Sequence, residues 1–151
     1  LSDFIGALRA TPTMAQERAL IAKEALAIRT SLKEADLSLD QRYHAIAKLV
    51  LLQMMGHSGH YGQVEGMKLA ASSRLADKRL GYYAATQLLD QWQPTLTLLT
   101  NSLQHDLASG EAQLQAQALV CLSVLASPEL ALELADEVAR LISSHHLMSK
   151  K

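Results

Sequence analysis

"AIAKLVLLQMMGHSGHYG", residues 45–62, holds the longest nearly unbroken apolar run in the chain, followed at once by a cluster of glycines and histidines. A bilayer span needs roughly 20 apolar residues. This run stops at Met55 and is interrupted by Lys48 and Gln53, so it reads as a helix buried on most sides. Gly56 stands where a residue of left-handed backbone closes a last helical turn. The segment 56–62 that follows reads as a turn. A helix buried this deeply needs apolar neighbours, and the flanking sequence supplies them.

Upstream, Met14, Ile21, Ala25, Ile28 and Leu32 share one helical face, and downstream Leu96, Leu99, Leu103 and Leu107 share another. Sustained alternation of period two is absent, and aromatic residues make up only 4% of the chain, which disfavours strands. Helix starts are marked by Thr13 with Gln16 three residues on, by Ser38 with Gln41, and by Ser127 followed by Pro128. The spacing predicts helices near 2–10, 13–34, 40–55, 61–72, 75–90, 94–108, 111–126 and 128–143. Starts near 61, 94 and 128 recur at a period of roughly 35 residues, each period holding two helices. The expected fold is all-α, a right-handed α-solenoid of antiparallel helix pairs of HEAT or armadillo type, over residues 1–143, with 144–151 a flexible tail. Such an array offers ridges and grooves rather than a deep cleft, which favours binding of other macromolecules over catalysis.

With 151 residues the chain suits one domain. Its net charge of -1, from 14 Lys plus Arg against 15 Asp plus Glu, gives no general field for nucleic acid. Cys121, the single cysteine, excludes an internal disulfide and reads as a small core residue beside Ala118, Leu122 and Leu125. The chain starts at Leu1 without a basic-then-apolar leader, which reads as a cut or processed fragment.

Few residues suggest chemistry. His57 and His60, and the pair His145 and His146, lack further ligands at metal spacing, so no metal and no cofactor are expected. His105 and Asp106 lie near serines and threonines without a nucleophile elbow, and no phosphate loop is present, so the chain does not read as an enzyme. Arg9 closes a short amphipathic helix. It either complements the helix dipole or offers its guanidinium to a ligand carboxylate. Arg42, His44 and Lys48 in "DQRYHAIAK" read first as a solvated turn and second as a thin phosphoinositide site. Val64 and Met67 are i, i+3 neighbours, simplest as core or inter-repeat contacts, with an exposed apolar docking pair as the other reading. In "LADKRLGYYAATQLLD", 75–90, Gly81 interrupts a helix-forming run and raises the question of what it packs against.

In order and separation, "MGHSGHYGQ", "DKRLGYYA" and "LTNSLQHDL" resemble the N-terminal part of the large-subunit trunk of the clathrin adaptor complexes, most like the gamma-type adaptins. The resemblance runs from Leu1 to about Ile142. It implies a non-enzymatic scaffold in vesicle-mediated transport, held in a heterotetramer with a second large, a medium and a small sigma subunit. In that family the N-terminal trunk cradles sigma, and the pair reads acidic dileucine signals in cargo tails. Arg9 falls where the family places an arginine that meets the acidic residue of the signal. Val64 and Met67 fall in the segment that meets Arf GTPase in its GTP form, and Arg42, His44 and Lys48 in the stretch that meets phosphoinositide headgroups in related trunks. Gly81 would let a neighbouring helix approach closely. The resemblance further implies peripheral membrane association at the Golgi, trans-Golgi network, endosomes and clathrin-coated vesicles. A free-standing peptide-binding superhelix of VHS type is the alternative, and the cover over the first helices' apolar faces would discriminate the two.

Overall fold

Three helix starts among the described residues are fixed by side chains that accept from backbone N–H groups left without intrahelical partners. Gln16 N donates to Thr13 Oγ1 at 3.3 Å and Leu130 N to Ser127 Oγ at 3.2 Å. At Ser38 the exchange is reciprocal: Gln41 N donates to Ser38 Oγ at 3.3 Å, and Ser38 N to Gln41 Oε1 at 3.0 Å. Each of these starts coincides with one expected from sequence, and Pro128 is the first residue of its helix. Gly56, at φ 89°, closes the apolar helix as its position predicted.

The computed structural model describes residues 1–34, 36–90 and 94–143. Their helices are α1 (Ser2–Arg9), α2 (Met14–Ser31), α3 (Leu39–Met54), α4 (Gln63–Ala70), α5 (Leu75–Leu88), α6 (Thr97–Ala108), α7 (Ala112–Leu125) and α8 (Pro128–Ser143). Short 3₁₀ turns at His60–Gly62 and Pro94–Leu96 lead into α4 and α6. No strand occurs among the described residues, and none of their helices is long and apolar enough to cross a membrane. The expected tail 144–151, with His145 and His146, lies outside the described residues.

α3, α5 and α7 pack in succession, as do α4, α6 and α8, and α4 packs on α5 as α6 does on α7. This two-layered helical stack is the all-α solenoid expected from the sequence. Among the described residues, two apolar cores fill it. One joins Phe4, Ile21, Ile28, Leu49, Leu52 and Leu88; the other joins Tyr82, Leu99, Leu103, Leu107, Cys121 and Leu134. α5 belongs to both, through Ala84 and Leu88 on one side and Tyr82 and Ala85 on the other. Met14, expected on the core face, is exposed at the first turn of α2, where the buried stripe begins only at Ile21. Met54 and Met55 are likewise exposed, so the buried part of the apolar run ends at Leu52.

The question raised by Gly81 has a geometric answer. A Cβ there would lie 2.2 Å from Ala70 N, 2.7 Å from Ala70 Cα and 2.7 Å from Leu69 C. The end of α4 therefore touches α5 backbone to backbone, an approach open only to glycine. Leu69 and Ala70 are fully buried against it. That packing offsets the roughly 1 kcal/mol by which glycine disfavours a helix interior relative to alanine.

Candidate functional site

Close approach at Gly81 brings the charged start of α5 into the interior. Lys78 and Tyr82, one turn apart, both reach Asp106 on α6. Lys78 Nζ donates to Asp106 Oδ1 at 2.9 Å and Oδ2 at 2.8 Å, and Tyr82 OH donates to Asp106 Oδ2 at 2.6 Å. The third Lys78 donor reaches Ala70 O at 3.1 Å, satisfying a carbonyl at the C-terminal end of α4. All three side chains are buried. Burial first, then the hydrogen bond to Asp106 and its charge, raises the Tyr82 phenol well above its ordinary range. A buried ion pair is retained only when its hydrogen bonds are satisfied, and this one is fully partnered.

Beside it, Asp77 Oδ2 accepts from Ser72 Oγ at 3.0 Å and pairs with Arg74 Nε at 3.3 Å, while Oδ1 is buried without a partner. Arg74 reaches on to Asp40 at the start of α3, 2.7 Å away. Reasoning from sequence set Asp106 aside as a poor catalytic residue and missed this network. A signal existed: Asp106 sits inside the apolar stripe of α6, one residue before Leu107 and three after Leu103, where an unpaired carboxylate would be costly.

The residues singled out for binding do not converge. Arg9 is exposed in the last turn of α1 and bonds no other described side chain. Val64 and Met67 split: Val64 is 52% exposed, whereas Met67 is 7% exposed and packed in the core with Ala70 and Leu103. Residues three apart on a helix differ by about 60° around its axis, enough for one to face water and the other the core. The first reading, a core contact, thus holds for Met67, and exposure for Val64 alone.

Arg42, His44 and Lys48 present no joint positive surface. Arg42 Nε pairs with Glu65 Oε2 of α4 at 2.6 Å, and Lys48 Nζ with Glu24 Oε1 of α2 at 2.5 Å. His44 Nδ1 lies 2.7 Å from Asp40 O. Glu65 is also met by Lys68 at 2.6 Å. Burial opposes the charge on Glu65, but hydrogen bonds from Lys68 and Arg42, with their charges, prevail and hold its carboxyl below the usual value. Cys121 is 1% exposed, and burial pushes its thiol up to about 12, as befits a core residue. No metal-binding group of three or more His, Cys, Asp or Glu occurs among the described residues.

Comparison with known proteins places these features. Residues 17–151 match the Adaptin N terminal region. The AP-1 complex subunit gamma-1 of Schizosaccharomyces pombe is 45% identical over 152 residues, covering 100% of this chain and 18% of that protein. The AP-1 complex subunit gamma-like 2 of Mus musculus is 42% identical over 142 residues, covering 94% of this chain and 18% of its own length. The AP-1 complex subunit gamma-1 of Saccharomyces cerevisiae is 44% identical over 144 residues, covering 95% and 17%. The chain therefore spans less than a fifth of the length of these relatives. With the family match covering most of its length and an all-helical layered fold to go with it, the chain belongs to the adaptin family, in the N terminal region of its large subunits.

Proposed function

We propose that this chain serves as the N-terminal trunk segment of a gamma-type large subunit in an adaptor complex of AP-1 type, a non-enzymatic scaffold in vesicle-mediated transport. The observation that carries this reading is the similarity to AP-1 gamma subunits along nearly the whole chain. The same observation favours a trunk over a free-standing superhelix of VHS type. The partners are a small sigma subunit cradled by the first helices, the other large and medium subunits, and Arf in its GTP form. The working location is the cytoplasmic face of Golgi, endosome and coated-vesicle membranes.

Arg9 supports the cargo role by its position: an exposed guanidinium bonded to no other described side chain remains available to the acidic residue of a dileucine signal. Leu26, 66% exposed, and Met14 leave apolar surface on α2 for sigma to cover. For Arf, Val64 is the residue that can make contact, and substitutions at Met67 would act through stability instead. A phosphoinositide headgroup at Arg42 and Lys48 would first have to displace Glu65 and Glu24.

Co-expression with a gamma-compatible sigma subunit, followed by size-exclusion chromatography with mass determination, tests the assignment. A stable one-to-one complex is expected; a folded chain that remains alone would overturn it. In that complex, Arg9→Glu should abolish binding of an acidic dileucine peptide while leaving assembly intact. Unchanged peptide affinity would remove Arg9 from the site.

A further inference from the structure

Lys78 and Tyr82 point into the stack; the residues directly after them, Arg79 and Tyr83, point out of it. Between Ser38 and Ser143, Arg42, Lys48, Lys68, Arg74, Lys78 and Arg140 each bond a carboxylate. Arg79 alone among the described cations of that stretch does not. Its side chain lines a groove of ≈ 450 Å³ that crosses three successive helices of one layer. Tyr43 comes from α3, Ala76, Arg79, Leu80 and Tyr83 from α5, and Gln117 from α7. Arg79 is the only ionised side chain in this lining. Tyr83, 44% exposed, is tethered toward α3 by donating to Met54 Sδ at 3.3 Å.

We infer that this groove is a docking site for an acidic peptide segment, with one carboxylate paired to Arg79 and a neighbouring apolar side chain laid between Tyr43 and Tyr83. A planar guanidinium without a counter-ion matches a carboxylate fork, and tyrosine faces offer apolar contact with a polar edge. The volume suits a few side chains of a peptide rather than a folded domain. A membrane surface fits less well. It is held by several cations acting together, each worth about 1 kcal/mol, and Arg74, the nearest cation in sequence on the exposed side of α5, is spent on Asp40. The walls are set in advance, because α5 is anchored from behind by Lys78 and Tyr82 on Asp106. This site involves neither Arg9 nor the sigma subunit.

Fluorescence anisotropy of the chain alone, with a short labelled peptide alternating glutamate and leucine, tests the groove. The glutamate peptide should bind at least about tenfold more tightly than its glutamine counterpart, and Arg79→Ala should weaken it by a similar factor. Tyr83→Ala should weaken it several-fold, and Lys23→Glu, at an exposed cation of α2, should leave it unchanged. Arg79 is exposed and unpaired, so its variant should keep the helical circular dichroism of the parent. Absence of binding, equal affinity for both peptides, or undiminished binding by Arg79→Ala would overturn the proposal. So would Arg79-dependent sedimentation with equimolar phosphatidylserine and phosphatidylcholine vesicles without peptide binding. Because sigma is absent from this experiment, its outcome is separate from that of the co-expression test.

Discussion

Replacing Gly81 by alanine would set a methyl group 2.2 Å from the amide nitrogen of Ala70. Alanine gains about 1 kcal/mol of helix propensity, but overpacking costs about 1–3 kcal/mol, or more where the obstacle is backbone that no rotamer change can clear. A net loss of about 2 kcal/mol is therefore expected in urea unfolding; an unchanged midpoint would mean that α4 and α5 can separate freely. Removing one partner of a buried ion pair costs about 3–5 kcal/mol, so Lys78→Met should destabilise strongly, since Tyr82 alone would then face Asp106. The double variant Lys78→Met with Asp106→Leu should recover part of that loss, because no charge stays buried alone. At this scale the sequence was informative for Gly81, whose helix cost demanded a compensating neighbour. It was uninformative for the pairing of Lys78 with Asp106, because partners on different helices leave no fixed spacing to read.

Elements are held to one another by ion pairs as well as by apolar faces, and the bond from α3 to α4 runs through Glu65. Its carboxyl is held below the usual value of 4.5 by Arg42 and Lys68. A depressed folded value means that the stabilisation is fully present above the unfolded value and disappears as pH falls through the folded one. The stability difference between the parent and Glu65→Gln should therefore be constant near neutrality and shrink once pH drops below about 4.5. A difference independent of pH would show that the pair contributes through packing alone. The starts of α2, α3 and α8 were legible because caps are local: Thr13, Ser38 and Ser127 act within three residues of themselves. Which face is covered was less legible. In α8, Leu130 and Leu134 are buried while Leu132 is 81% exposed and Ile142 75% exposed, and hydrophobicity alone does not distinguish them. The split of Val64 from Met67 has the same origin. Both are apolar, and only the packing of α5 and α6 on α4 decides which one is enclosed.

Taken whole, the molecule is two cores sharing one wall. That wall is the α4–α5 pair, with Met67, Ala70, Tyr82 and Ala85 in one core and Leu69, Ala84 and Leu88 in the other, whereas α1 places only Phe4 in a buried position. In stacked helical arrays stability is carried by contacts between neighbours, so amide exchange under native conditions should be slowest in α5 and α6 and fastest in α1. Equal protection in α1 and α5 would contradict the shared wall. The period of helix pairs made the layered architecture readable in advance, while the groove across α3, α5 and α7 was invisible, since Tyr43, Arg79 and Gln117 meet only once the layers are stacked. α5 carries two side-chain pairs, Lys78 with Tyr82 and Arg79 with Tyr83, offset by a single position. One residue corresponds to about 100° of rotation around a helix. A one-residue shift of α5, of the kind an added residue ahead of it would cause, would set Lys78 and Tyr82 in the outward places of Arg79 and Tyr83 and bring Asp77 and Gly81 to Asp106. The buried bonds to Asp106 thus act as a register lock for a surface they never touch, and a single inserted residue in the turn 71–74 is the mutation that would pick it.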